Sequence, residues 1–453
     1  MKSRNDMKNG HDLTDGNILK GFLLFALPLL FGSLFQQLYS TVDLLYIGNF
    51  MGKNSAAAVG ASGIVVTCMI GLFTGISVGA GVVASRFWGA GEKERVKRCI
   101  CNSLLFALIG GCVLAALSEL MSGWMLRALN TPDSILTEAL VYIRIYIFAI
   151  VPMILYNMSA GLLRAMGDSR SPFLVLAVGG VLNVCMDAVF IVLLQWGVAG
   201  AALATVISQL FTAVVLTEYL FIREKLMKEC WRIEIPLLQN ILKTGFPLGI
   251  QSMVLTLSNI FVQRAINGFG ENAIAAFTVY FRVENLLYLP IVAFGQAMVT
   301  FTGQNMGAGK YERIRKSAFS CNFLAAAVTA ALAFVFLLSG RQILGLFCSD
   351  EDVVAEGLKI ITISFPLYFL YAIQEVTGGL IRGMGKTLQS MAVVMGTLCI
   401  LRVVLLGLLL RYVRTIQGIA SVYPLTWGLA ALSFIMCYFY FQKQLPVHRP
   451  CKK

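Results

Sequence analysis

From Leu19 to Phe441 the chain is a series of long apolar runs separated by short polar or glycine-containing breaks. A helix needs about 20 apolar residues to cross the hydrocarbon layer of a bilayer. Read at that length, the pattern predicts twelve spans: 18–47, 55–86, 99–124, 135–160, 170–195, 198–222, 237–267, 273–303, 317–340, 353–380, 387–412 and 417–442. An even number of spans puts both chain ends on one side. The stretch from Met1 to Gly16 is polar, and no small-residue cleavage site stands out. The first apolar run is therefore expected to be a retained span.

The spans repeat. Gly89-Ala90-Gly91 with Glu94-Arg95 recurs as Gly307-Ala308-Gly309 with Glu312-Arg313. Gly161-Leu162-Leu163-Arg164 with Met166-Gly167 recurs as Gly379-Leu380-Ile381-Arg382 with Met384-Gly385, at the same offset of 218. Gly200 recurs as Gly418, and Pro28 matches Pro247 with a one-residue slip. Six spans is an even number, so both copies run the same way through the membrane. They are expected to be related by an axis along the membrane normal, with a cleft between them. The lobes are read as residues 1–222 and 237–453, joined by a cytoplasmic linker at 223–236. The fold class is thus all-α integral membrane, with twelve transmembrane helices in two pseudo-symmetric six-helix lobes.

Composition excludes the soluble classes. Only 13% of the residues are charged, against about 25% in soluble domains. The net charge of +13 would suggest nucleic acid in a soluble protein. Here the basic residues cluster between apolar runs, as in cytoplasmic loops, and no nucleic acid is expected as a partner. With the termini inside, six of the 36 basic residues fall in outer loops: Lys53, Arg127, Arg264, Arg341, Arg411 and Arg414. Arg144, Arg282, Lys359 and Arg402 lie within spans, and the rest lie inside. That asymmetry predicts cytoplasmic termini. The setting it fits is the plasma membrane, in a bacterium the inner membrane. The 11 cysteines show no zinc spacing, and both histidines, His11 and His448, lie in the tails. Neither a metal centre nor a disulfide framework is expected.

Several motifs resemble those of the multidrug and toxic compound extrusion (MATE) transporters. They are Pro28 through Gln37-Leu38-Tyr39-Ser40-Thr41-Val42-Asp43, then Gly52 with Ala56-Ala57-Ala58-Val59-Gly60. Leu162-Leu163-Arg164-Ala165-Met166-Gly167-Asp168 and Gly303-Gln304-Asn305-Met306-Gly307-Ala308-Gly309 complete the set. No one piece is specific, but the combination is, and it covers essentially the whole chain. The resemblance implies a V-shaped twelve-helix fold. It also implies export of organic, often cationic, compounds in exchange for inward H⁺ or Na⁺.

A charge at mid-span costs roughly 2.5–3.5 kcal/mol on insertion scales, so each one needs a reason. The candidates are Asp43, Asp187, Glu284, Glu375 and Arg402. At the rise of a helix, Asp43, Asp187 and Thr205 each lie about 10 Å below the outer turns. Asn183 lies one turn from Asp187 on the same helix face. Asp43, Asn183, Asp187 and Thr205 therefore share one level of the first lobe. Two carboxylates, an amide oxygen and a hydroxyl can form a hard-cation shell. Two close carboxylates that repel when both are charged equally suit a proton carrier. The plainer alternative is that each aspartate bonds a nearby backbone break. In the family the matching positions form the cation site of the first lobe. Tyr39, Tyr142 and Asn157 either extend this polar network or make structural hydrogen bonds.

In the second lobe, Glu284 and Arg402 both fall near mid-bilayer, and a buried ion pair is their simplest joint state. Some relatives carry an acid in the seventh span. Here Gln251-Ser252-Met253-Val254-Leu255-Thr256 has none, which argues against a second-lobe cation site. Glu375 either lines the inward-facing cleft or bonds near Arg382. Arg164 and Arg382 are read as structural, and the Gly-Ala-Gly loops as turns, since no Gly-Lys-Ser/Thr follows.

The expected function is a secondary active multidrug exporter. It would exchange amphipathic organic compounds for H⁺ or Na⁺ by alternating access, as a monomer in contact with membrane lipid. No cofactor, no metal beyond Na⁺ and no enzymatic activity are expected. A lipid-linked oligosaccharide flippase of a related fold is the alternative, and it would need a cleft lined with basic residues. A membrane enzyme would need a histidine, metal cluster or triad within the spans.

Overall fold

The computed structural model describes residues 12–128, 131–226, 232–413 and 415–446. His11, His448, Cys230, Cys451, Arg414 and the middle of the linker lie outside the described residues. Among the described residues, twelve helices are long and apolar enough to cross a membrane. The first six are α1 (Ile18–Phe50), α2 (Lys53–Gly89), α3 (Lys93–Ala128), α4 (Asp133–Ala165), α5 (Arg170–Asp187) and α6 (Gly197–Glu224). A π turn, Ala188–Leu193, extends α5. The next three are α7 (Ile235–Asn267), α8 (Glu271–Gly307) and α9 (Tyr311–Leu338). In α10, Glu351–Ser364 passes through a 3₁₀ turn, Phe365–Leu367, into Tyr368–Gly383. In α11, Thr387–Val394 passes through a π turn, Met395–Leu401, into Arg402–Tyr412. The last helix is α12 (Ile416–Gln442).

These helices follow the predicted spans, with three differences. Ends beside the Gly-Ala-Gly turns run further: α3 starts at Lys93 and α9 at Tyr311. Lys, Glu and Arg are good helix formers, so the coil continues where the apolar run stops. The second difference is that three spans are not uniform. The 3₁₀ turn in α10 contains Pro366, whose missing N–H breaks the ladder. The π turns in α5 and α11 have no such sequence mark. Gly340–Gly345, expected as the end of a span and a loop, forms a short helix.

The repeat is visible in the packing. In the first half α4 packs against α2, α3 and α6. In the second half α10 packs against the matching α8, α9 and α12. Small residues allow these close crossings. A Cβ at Gly161 of α4 would lie 2.7 Å from Ser77 Oγ of α2. A Cβ at Gly379 of α10 would press on the backbone of Gly295 in α8.

Two compact units result, and they do not coincide with the two halves of the sequence. The first contains Leu27–Gly249, the second Leu13–Ala26 with the chain from Ile250 onward. The start of α7 joins the first unit because Gly245 and Gly249 let its backbone meet that of α2 at Gly75 and Gly79. The start of α1 joins the second unit. There Leu13 N–H donates to Gln304, Asn305 donates to Leu13 O, and Phe22 stacks on Phe294 at 5.7 Å.

One matched position changes its chemistry between halves. Asp168, almost fully buried, accepts from Arg223 at 2.6 Å and from Ser171 Oγ at 2.8 Å. At the same offset the second half has Lys386 and Phe441. There the Lys386 ammonium lies 4.9 Å from the Phe441 ring. The contact persists while an ion pair becomes a cation–π contact.

Candidate functional site

The first unit brings Asp43 and Asp187 together. Asp43 comes from α1 and Asp187 from the last residue of α5, where the π turn begins. A π turn widens the helix locally and is frequent at functional sites. The two carboxyl groups lie within hydrogen-bonding range of one another. Asp187 is fully buried, and neither of its oxygens, nor Asp43 Oδ1, receives a proton from any other described group. No basic side chain forms an ion pair with either acid among the described residues. Two bare carboxylates cannot both stay charged at this separation without a cation or proton between them.

The other predicted members take different positions. Asn183 is buried one turn before Asp187. Thr205 donates its hydroxyl proton to Ala201 O at 3.1 Å, within its own helix. Its lone pairs stay free, but its hydrogen is not turned toward the acids. Tyr39 lies against α5, where a Cβ at Gly180 would come 2.9 Å from its ring. Tyr142 is buried beside Ile47, Val59, Ile191 and Val198, its ring 5.6 Å from that of Tyr146. Asn157 is turned away: its amide donates to Met153 O at 2.8 Å, and its backbone carbonyl accepts from Ser77. Tyr146 and Gln209 belong to this neighbourhood and were missed. Nothing marks an uncharged polar residue within a span as functional until its neighbours are known.

The second unit contains a cavity of about 580 Å³. Glu284, Glu375 and Arg402 all line it, with Gln251, Asn259 and Gln374. The expected ion pair between Glu284 and Arg402 does not form. Glu284 Oε1 instead accepts from Tyr280 and Tyr368, each at 3.3 Å. Arg402 lies against the Tyr423 ring at 5.1 Å and reaches Thr426 at 3.5 Å. Two tyrosine hydroxyls meet the Glu284 charge, whereas Arg402 has only a ring face and one long hydroxyl contact. Glu375 pairs with Arg382 and packs on Gly295. It therefore takes the structural position and still borders the cavity.

Twelve membrane-crossing helices in two repeats, with ionisable groups held unpaired at mid-span, define a polytopic membrane transporter. A family model described as MatE matches residues 28–189 and 247–407, one stretch in each repeat. The chain belongs to that family, as its motifs implied. It is 28% identical over 440 residues to the probable multidrug resistance protein YoeA of Bacillus subtilis, covering 94% of each chain. It is 29% identical over 402 residues to the probable multidrug resistance protein YpnP of the same organism, covering 86% of this chain and 88% of the relative. Its fold matches a solved outward-facing multidrug resistance MATE family transporter with a TM-score of 0.91. That match covers 97% of this chain and 99% of the other at 23% identity.

Proposed function

We propose that this chain exports amphipathic organic compounds in exchange for inward H⁺ or Na⁺, and that Asp43 and Asp187 form the coupling site. The carrying observation is the pair of neighbouring carboxyls, Asp187 buried and Asp43 half-buried, with no basic partner among the described residues. Such a pair needs a cation or a proton, which is the requirement a coupling site must have. The names of the relatives, multidrug resistance proteins, support the choice of organic cargo. The positive-inside asymmetry supports cytoplasmic termini in a bacterial inner membrane.

An ion drives a conformational switch only by binding one state better than the other. Neutralising the pair removes repulsion between α1 and α5, and α1 can then bend at Pro28, where its ladder lacks a donor. A proton crossing two pH units supplies about 2.7 kcal/mol. Moving a population from 1:99 to 99:1 needs about 5.5 kcal/mol. The two states are therefore more nearly balanced, or membrane potential or a second ion contributes. The flippase reading needs several basic side chains in one cleft. Of the four within the spans, Arg144 is paired with Glu119 and Lys359 with Glu356, and among the described residues Arg402 alone lines the cavity.

Proteoliposomes with a pH gradient alone, or a Na⁺ gradient alone, test this reading. One gradient should drive accumulation of a lipophilic dye. Accumulation with neither would reject antiport.

A further inference from the structure

The cavity of the second unit holds a guanidinium that cation coupling does not use. Arg402 is only 5% exposed, yet no carboxylate pairs with it among the described residues. Its Nη2 makes one long contact, 3.5 Å to Thr426, and its Nε has no partner. An arginine carries five N–H donors and keeps its charge. Burying such a group with most donors unused is unfavourable, and the state is relieved when an oxyanion arrives. Glu284 borders the same space, but its Oε1 is occupied by Tyr280 and Tyr368. Gln374, 1% exposed, leaves its Oε1 without a donor in the same wall. Tyr371, Tyr423 and Trp427 supply aromatic faces around it.

We propose that this cavity binds an aromatic carboxylate, whose oxyanion takes the free N–H groups of Arg402 while its ring lies among Tyr371, Tyr423 and Trp427. The planar guanidinium fork matches a carboxylate in geometry as well as charge. A volume of about 580 Å³ holds a compound of two or three fused rings. An N–H or O–H on the ligand would satisfy Gln374. This site selects the opposite charge from the paired acids of the first unit, and it does not depend on the coupling reading.

The test is equilibrium binding to the purified full chain in nanodiscs, read by quenching of tryptophan fluorescence. The probes are 1-naphthoate and its neutral counterpart 1-naphthamide. The parent should bind naphthoate at least tenfold tighter than naphthamide. Arg402→Gln should abolish that preference. Glu284→Gln should strengthen naphthoate binding severalfold by removing a nearby like charge. Trp427→Phe should remove most of the quenching. Should Arg402→Gln fail to fold, Arg402→Lys keeps the charge without the fork and should weaken only naphthoate, severalfold. Asp187→Asn should stop gradient-driven export and leave the naphthoate titration as in the parent, so the two readings fail separately. Equal affinity for both probes in the parent would overturn the proposal. So would a naphthoate titration unchanged by whichever Arg402 variant folds.

Discussion

The two units place buried charge in different slots of one repeat. The repeat positions of Asp43 and Asp187 are Val262 and Leu405 in the second half. The counterparts of Glu284 and Arg402 in the first half are Val66 and Val184. The first unit thus holds two acids that face each other without a base. The second holds Glu284, bonded by two tyrosine hydroxyls, and Arg402, whose charge no carboxylate pairs among the described residues. One template carries two electrostatic designs. The first is incomplete without an added positive charge, and the second is formally neutral as it stands. The proposed coupling to a cation accordingly rests on the first unit.

The largest effect should come from removing titratable charge in the first unit. Asp43→Asn should reduce gradient-driven export to background. The double variant Asp43→Asn with Asp187→Asn should be little worse than either single one, because the two act as one site. Losses that multiply in dye-accumulation assays would mean two independent sites.

The next largest effect is on stability, and it compares matched positions. Asp168→Ala leaves Arg223 with Glu224 alone and removes the acceptor for Ser171 and for the Arg170 and Ser171 N–H groups, which should cost about 3 kcal/mol. Lys386→Ala removes only a cation–π contact, worth about 0.5–2 kcal/mol. Thermal unfolding in detergent, read as loss of a monodisperse peak, should rank the two in that order. Equal shifts would mean that the two contacts carry the same load.

The smallest effect should come from Glu284→Gln. With the proposed coupling site elsewhere, the ion dependence of export should be unchanged and its rate should stay within a few-fold of the parent. Loss of the ion response would move coupling into the second unit and break the comparison.

Much of this was legible in the sequence, for reasons of cost. A bilayer demands long apolar runs, so twelve spans could be counted. The copies kept their glycine turns, so the repeat could be measured. Charges in lipid are expensive, so Asp43 and Asp187 stood out, and their depths put them at one level. The same reasoning failed where cost is shared among neutral groups. The expected pairing of Glu284 with Arg402 treated each charge as having one kind of remedy, and Tyr280, Tyr368 and Tyr423 supplied another. The amides of the cavity, Gln251, Asn259 and Gln374, gave no signal at all, because a lone amide in a span has no fixed meaning. The π turn after Asp187 was equally silent, since Ala188–Leu193 reads as ordinary apolar helix. The start of α7 could not be assigned to the first unit without seeing Gly245 meet α2.

The central claim is that Asp187 carries the coupling charge. The direct measurement is dye transport by Asp187→Asn in proteoliposomes, under the gradient that drives the parent and under dye exchange with no ion gradient. The claim predicts that uphill accumulation disappears while dye still binds and equilibrates across the membrane. Accumulation at the parent level under the same gradient would contradict it.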